Sequence, residues 1–137
     1  CHANEWGGEF DNYVKAANAS TDVIAMIETK DGVENIDEIL ETDGINGVLI
    51  GPYDLSGSYG VPGQTSHPKV EEAKEKILAA CKKHKKLAGQ HIVLPDKEKV
   101  SLAVEQGYNF LALGMDTVFV AEGSKKVLGY CGRIRGG

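Results

Sequence analysis

Short apolar runs alternate with amphipathic stretches along the chain. Four runs have the length of β-strands, at residues 23–27, 47–50, 87–94 and 109–113. Apolar runs of this kind, without a strict apolar–polar alternation, are typical of strands that are buried on both faces of a parallel sheet. The sequence therefore predicts four buried strands.

Between these strands, apolar residues recur at helical spacing. The clearest case is residues 68–84, where one face carries Val70, Ala73, Ile77, Ala80 and Cys81. The same spacing predicts helices at residues 33–40, 97–106 and 116–128, and a leading helix at about residues 11–19.

Strands that alternate with helices in this order predict βαβ units with right-handed crossovers and a parallel sheet. No linker or low-complexity segment divides the chain. We therefore expect a single α/β domain over residues 1–137, with four βα units at residues 23–128. Residues 129–137 are expected to form an irregular tail.

The composition excludes several classes of partner. Asp and Glu number 20 against 15 Lys and Arg, which gives a formal net charge of −5. Such a chain lacks the basic surface that binding to nucleic acid or an anionic membrane requires. No apolar run approaches the roughly 20 residues of a membrane helix. We expect neither kind of partner.

The cysteines favour a reducing compartment. Cys1, Cys81 and Cys131 are odd in number and have no CxxC spacing, so they fit free thiols better than a disulfide framework or a zinc site. We therefore expect a cytoplasmic location.

The carboxyl ends of parallel strands are where ligands bind in α/β proteins. Glu28 directly continues the first strand, and Asp54 follows Gly51 and Pro52 after the second. Two carboxylates on neighbouring strands suit Mg²⁺ or Mn²⁺. Spacing alone leaves other roles open: Glu28 as a salt-bridge partner or helix cap, and Asp54 as the cap of a short turn.

Three other residues have simpler interpretations. His91 lies at the end of the third strand, which favours a packing or specificity role over catalysis. His84 lies in a lysine-rich run and is expected on the solvated surface, and Asp116 is expected to cap the last helix. Dinucleotide-binding, P-loop, zincin and serine-hydrolase motifs are absent from the sequence.

Two segments resemble a known family. They are AMIETKDGVENIDEIL at residues 25–40 and DGINGVLIGPYDLS at residues 43–56. Together they closely resemble the HpcH/HpaI aldolases, which include 2-dehydro-3-deoxyglucarate aldolase and 4-hydroxy-2-oxoheptanedioate aldolase. The resemblance extends over residues 11–128.

The resemblance implies a fold and an activity. The fold is the C-terminal half, about four βα units, of a TIM (β/α)₈ barrel of the phosphoenolpyruvate/pyruvate type. The activity is that of a class II metal-dependent aldolase, a carbon–carbon lyase. Such an enzyme cleaves 2-keto-3-deoxy acids to an aldehyde and pyruvate through a metal-stabilised enolate.

The resemblance also assigns residues. Glu28 and Asp54 match the family's metal ligands, for Mg²⁺ or Mn²⁺ with Co²⁺ as a further option. Gly51, Tyr53 and Asp54 match the turn that holds the substrate carboxylate, and His91 is a specificity candidate. In the family, the catalytic His and Arg come from the first half of the barrel, and nothing in this sequence matches them. The only arginines, Arg133 and Arg135, lie in the tail, which agrees with this. We therefore name no catalytic residue, and we expect the chain to lack the acid–base half of the barrel.

A four-stranded half-barrel exposes two strand edges and an apolar interior. The sequence therefore predicts a homo-oligomer or an element-swapped assembly. Two other functions stay open. One is a citramalyl- or malyl-CoA lyase-like enzyme, or another pyruvate or phosphoenolpyruvate enzyme. The other is a non-catalytic half-barrel module that binds a metal.

Overall fold

The computed structural model describes residues 7–135. Four strands and seven helices occur in this part of the chain, and their order alternates as the sequence predicts. The strands are β1 (Val23–Ile27), β2 (Ile45–Ile50), β3 (Leu87–Ile92) and β4 (Phe110–Leu113). The helices are α1 (Phe10–Ser20), α2 (Lys30–Glu34), α3 (Ile36–Glu41), α4 (Pro52–Ser58), α5 (Pro68–His84), α6 (Lys97–Glu105) and α7 (Asp116–Arg135).

The strands form one sheet in the order β1-β2-β3-β4, and every neighbouring pair is parallel. Each strand therefore pairs with the next strand along the chain, and all carboxyl ends lie at the same edge. This arrangement confirms the predicted α/β class with a parallel sheet.

The core lies on one face of the sheet. Val48 and Ile50 of β2 are buried there, and Ile77 of α5 and Leu40 of α3 pack against the same cluster. These residues are the apolar positions that the sequence places on strands and helix faces. Burial of such side chains contributes about 25 cal/mol per Å² of apolar surface, and it fixes α3 and α5 against the sheet.

The opposite face of the sheet is open in the described structure. Met26 of β1 is 56% exposed, and its register neighbour Leu49 on β2 is partly exposed. Phe110 pairs with Gly89 further along the same row and is also partly exposed. An apolar row of this kind is typical of the interior surface of a barrel.

Two helices differ from the sequence prediction. The single helix expected at residues 33–40 is divided at Asn35 into α2 and α3, and the Asn35 amide donates to the Asp31 carbonyl at 2.9 Å. The segment after Gly51, expected as a turn, is a helix, α4. Leu55 and Ser56 of this helix are buried against the core, and their burial stabilises it.

The expected irregular tail is wrong over residues 129–135, where α7 continues. In the sequence, apolar residues recur at helical spacing beyond Leu128, at Cys131 and Ile134. Residues 136–137 lie outside the described part of the chain.

Candidate functional site

The carboxyl edge of the sheet places Glu28 beside Gly51. Ile27 and Ile50 are register partners, and the Gly51 N–H donates to the Ile27 carbonyl at 3.0 Å. Glu28 and Gly51 are the next residues on these two strands. Because side chains alternate along a strand, Glu28 follows Met26 on the open face.

Gly51 leaves the space in which the Glu28 side chain lies. A Cβ atom on Gly51 would be 3.0 Å from the Glu28 Cβ and 3.3 Å from Glu28 Oε2. The Glu28 carboxylate therefore lies next to the backbone at the start of α4, and it is partly buried.

Asp54 lies in the first turn of α4, and its side chain is exposed. The residue that caps α4 is Gly51, and no side-chain hydrogen bond caps this helix. The interpretation of Asp54 as a cap is therefore wrong, since it lies three residues inside. Its carboxylate is left for another role at the same edge as Glu28.

The backbone amides of this turn are not equivalent. The Gly51 N–H is used within the sheet, and Pro52 has none. Tyr53 and Asp54 lie in the first helical turn, where N–H groups have no intrahelical partner. The donors expected to hold a substrate carboxylate are therefore those of Tyr53 and Asp54, whereas Gly51 contributes by having no side chain.

Two serines that the sequence analysis did not single out hold this region together. Ser58 Oγ accepts from the Lys30 N–H at 2.8 Å, which ties the segment after Glu28 to the end of α4. The buried Ser56 Oγ donates to the Tyr53 carbonyl at 2.6 Å and accepts from the Gly63 N–H at 2.9 Å. In the sequence, the only indication of a role for these serines is that they lie directly after Asp54, at positions 56 and 58.

The donor set fits a hard cation. Within residues 7–135, no three His, Cys, Asp or Glu side chains are grouped as metal ligands. Two carboxylates with waters in the other positions suit Mg²⁺ or Mn²⁺. The same set does not fit a closed zinc site, which needs four protein ligands.

His91 joins the ends of two strands. Its Nε2 lies 2.9 Å from the carbonyl oxygen of Gly114, and the ring is partly buried. This contact orients the ring at the end of β3, beside β4.

His84 is not a solvated surface residue, as the sequence analysis expected. Its side chain is 13% exposed, and its Nε2 lies 2.6 Å from Asp37 Oδ1. The Lys83 ammonium donates to the same oxygen at 2.8 Å. These two hydrogen bonds, that of Lys83 foremost, hold the pKa of Asp37 below its usual value.

Asp116 is also placed differently from the expectation. It is the first residue of α7 and not the residue before it, and its Oδ1 accepts from the Thr117 N–H at 2.7 Å. The Asp116 carboxylate still accepts from a backbone N–H at the start of α7, but Asp116 lies one position further into the helix than expected.

The described cysteines offer no reactive thiolate at this site. Cys81 and Cys131 are free, and Cys1 lies outside the described residues. Burial raises the pKa of the Cys81 thiol to about 11, which keeps it protonated at neutral pH.

No helix in the described part of the chain has the length and apolar character to span a membrane.

Four parallel βα units with an acidic edge define an α/β protein of the TIM-barrel type. The chain matches the model of the HpcH/HpaI aldolase/citrate lyase family over residues 2–122, and it belongs to that family. The 2-keto-3-deoxy-L-rhamnonate aldolase of Escherichia coli K12 is 38% identical over 120 residues, which are 88% of this chain and 44% of that protein.

Solved structures agree with this assignment. An HpcH/HpaI aldolase from Desulfitobacterium hafniense is 33% identical with a TM-score of 0.73, over 89% of this chain and 47% of that one. A family member from Burkholderia cenocepacia is 29% identical with a TM-score of 0.78, over 90% and 48%. The chain thus spans about half the length of the relatives it matches.

Proposed function

We propose that the protein acts as a class II aldolase, in which Glu28 and Asp54 hold a divalent cation, Mg²⁺ or Mn²⁺ with Co²⁺ as a further option. The observation that carries this proposal is the position of Glu28 against Gly51, at the start of the helix whose first turn contains Asp54. The pairing of these segments by the Lys30–Ser58 hydrogen bond supports it.

The proposed substrate is a 2-keto-3-deoxy acid, which is cleaved to pyruvate and an aldehyde. The free N–H groups of Tyr53 and Asp54 bind the substrate carboxylate, and Gly51 leaves room for it beside Glu28. A bound cation supplies Lewis-acid stabilisation of the charge that develops on the keto oxygen. The name of the 38% identical relative supports this substrate class.

Substrate selectivity is assigned to the surroundings of His91. The hydrogen bond to the Gly114 carbonyl holds the ring at the carboxyl edge, where a substrate chain would pass. The acid–base groups are proposed to come from the half of the barrel that this chain does not include, as the resemblance to the family implies. Among the described histidines, only His91 lies on the open face with Glu28, and its Nε2 contacts the Gly114 carbonyl oxygen.

We also propose that the protein self-associates through the open face of the sheet. Met26 on this face is 56% exposed, and apolar surface of this kind favours association. Both strand edges, at β1 and β4, are available for pairing in the described structure.

Metal binding is the most direct test. Mn²⁺ is titrated against the wild-type protein, Glu28→Gln and Asp54→Asn, with water-proton relaxation as the readout. Each variant should bind Mn²⁺ at least about tenfold more weakly, because it replaces a charged ligand by an amide. Asp43→Asn is the control, since Asp43 is exposed before β2 at the opposite edge of the sheet. Equal affinity in all four proteins would contradict the metal site.

Exchange of the pyruvate methyl protons with solvent tests the chemistry separately. We expect slow Mn²⁺-dependent exchange, because solvent must remove the proton in place of the acid–base groups proposed to lie outside this chain. Both site variants should lose this exchange, and Asp43→Asn should retain it. Metal binding without exchange would favour the non-catalytic module. Exchange together with cleavage of a malyl- or citramalyl-CoA substrate would favour the CoA lyase-like alternative.

A further inference from the structure

A cavity lies at the carboxyl edge of the sheet, beside the end of β3. Its volume is about 600 Å³, within the range of roughly 300–1,000 Å³ that is typical of small-molecule sites. Tyr53 and His91 belong to its lining, and both lie at the proposed substrate site. From there the cavity extends between α5 and α6, where Lys74 and Leu102 line it. The cavity therefore adjoins the proposed substrate site.

Lys99 supplies a fixed cationic group to this cavity. Its ammonium donates to the Leu94 carbonyl at 2.9 Å and pairs with Asp96 Oδ2 at 2.9 Å. Asp96 also caps α6, because its Oδ1 accepts from the Lys99 N–H at 2.8 Å. These contacts hold the ammonium at the start of α6 and leave one of its three N–H bonds for a ligand.

The lining offers hydrogen-bond donors and no carboxylate. No Asp or Glu occurs among the described residues that line this cavity. Its second lysine, Lys74, donates to the Thr65 carbonyl at 3.0 Å. The carbonyl oxygens of Thr65 and Leu94 are thus taken by lysines, whereas the hydroxyls of Tyr53 and Ser66 can donate to a ligand. An ionised carboxylate, which only accepts hydrogen bonds, is the complementary group.

Acidic residues line an adjoining cavity of about 400 Å³. Glu71 and Glu75 belong to that lining together with Lys74, but Lys99 and His91 do not. Glu71 also compensates the charge of Lys74 through an ion pair of 2.9 Å. An anion is therefore favoured in the part of the larger cavity formed by Lys99 and His91.

We propose that Lys99 determines specificity by selecting substrates that carry a second carboxylate, at the end remote from the keto group. This inference rests on the proposed function, in which the N–H groups of Tyr53 and Asp54 hold the first carboxylate. The carbon chain passes His91 and lies along Leu102, which is 55% exposed. The remote carboxylate then accepts from the Lys99 ammonium.

The test compares diacids with monoacids of the same length. Calorimetry in the presence of Mg²⁺ measures the binding of 2-oxoadipate and 2-oxopimelate, and of 2-oxohexanoate and 2-oxoheptanoate, which lack the second carboxylate. The two lengths offer this carboxylate at two distances from the keto group. We expect at least one diacid to bind about fivefold more tightly than its monoacid, as a single partly exposed ion pair allows. This comparison does not depend on any variant folding.

Lys99→Gln should remove most of this preference and leave the affinity for the monoacid unchanged. Lys97→Gln is the control, since it removes the same charge from an exposed residue of the same helical turn that does not line the cavity. Equal binding of diacid and monoacid by the wild type, or an unchanged preference in Lys99→Gln, would overturn this inference alone. If no keto acid bound in a Mg²⁺-dependent manner, the proposed function would fail, and this inference with it.

Discussion

Gly51 is required by the atoms around it and not by its backbone conformation. Its φ of −96° is accessible to any residue. A Cβ there would lie 3.0 Å from the Glu28 Cβ, which is closer than side chains normally approach. Gly57, in the same helix, has no neighbouring atom within 4 Å of its Cβ position. The two glycines therefore separate the effect of crowding from that of helix propensity.

Alanine substitutions at these glycines should have opposite effects. Gly51→Ala displaces the Glu28 side chain and should lower the free energy of unfolding by about 1–3 kcal/mol, as overpacking does, and weaken Mn²⁺ binding. Gly57→Ala should raise the free energy of unfolding by about 0.5–1 kcal/mol, because alanine has a higher helix propensity than glycine. Urea unfolding and Mn²⁺ titration measure both quantities. Unchanged Mn²⁺ affinity in Gly51→Ala would show that Glu28 is not a ligand.

At the scale of elements, Asp37 links α3 to α5 outside their apolar contact. One carboxylate oxygen accepts from both Lys83 and His84. The hydrogen bond from Lys83 is the main cause of the lowered pKa of Asp37, and the same bond raises the pKa of Lys83.

These shifts define the pH range in which the contact stabilises the fold. The pKa of Asp37 is lower in the folded protein, so its contribution is present above its ordinary value of 3.8 and is lost as the pH falls through the folded pKa. The pKa of Lys83 is raised, so its contribution is lost as the pH rises above its ordinary value of 10.5.

Asp37→Asn should therefore be less stable than the wild type at neutral pH, by a small amount that reflects the exposure of the pair. The difference should shrink below about pH 3.8 and in about 1 M salt, which screens exposed charges. Glu38→Gln removes the same charge from the next residue, which makes no side-chain ion pair among the described residues, and should have a smaller effect. Urea unfolding at each condition provides the comparison. If the difference in the free energy of unfolding between the wild type and Asp37→Asn depended on neither pH nor salt, the ionic contact would be contradicted.

Elements with local signals were predictable from the sequence. The helix expected at residues 68–84 has the bounds of α5, because Pro68 begins it, His67 caps it and Lys85 ends it in the left-handed conformation. β1 also has its predicted bounds. The extension of α7 and the presence of α4 were missed, since sequence patterns in tails and turns are weak. Helix α4 depends on the burial of Leu55 in the core, which the local sequence does not show.

The site was predictable only in part. The position of Glu28 and Asp54 after two strands follows from the parallel order of the sheet. The contact of Asp37 with His84 joins residues 47 positions apart, and the cavity that Lys99 lines becomes evident only once α5 and α6 are in place. Such features depend on packing across elements, which no local pattern records.

At the scale of the whole molecule, the two faces of the sheet differ. Helices cover one face and bury Val48 and Ile50 there. The other carries Met26, Leu49 and Phe110 without a covering layer in the described structure. Relatives about twice as long as this chain share the fold. The apolar face is therefore the surface where further protein, from a second copy in our proposal, is expected to pack.

Self-association through this face should be sensitive to one charge. Light scattering after size-exclusion chromatography should give a molar mass of at least twice the 14.7 kDa of one chain for the wild type. Met26→Lys should shift the mass towards the monomer, because an ammonium buried in an apolar interface is costly. Val104→Lys is the matched control, since Val104 is 57% exposed and Met26 56%, but Val104 belongs to α6 on the helical side. A monomeric wild type would contradict the association, and equal effects of both substitutions would place the interface elsewhere.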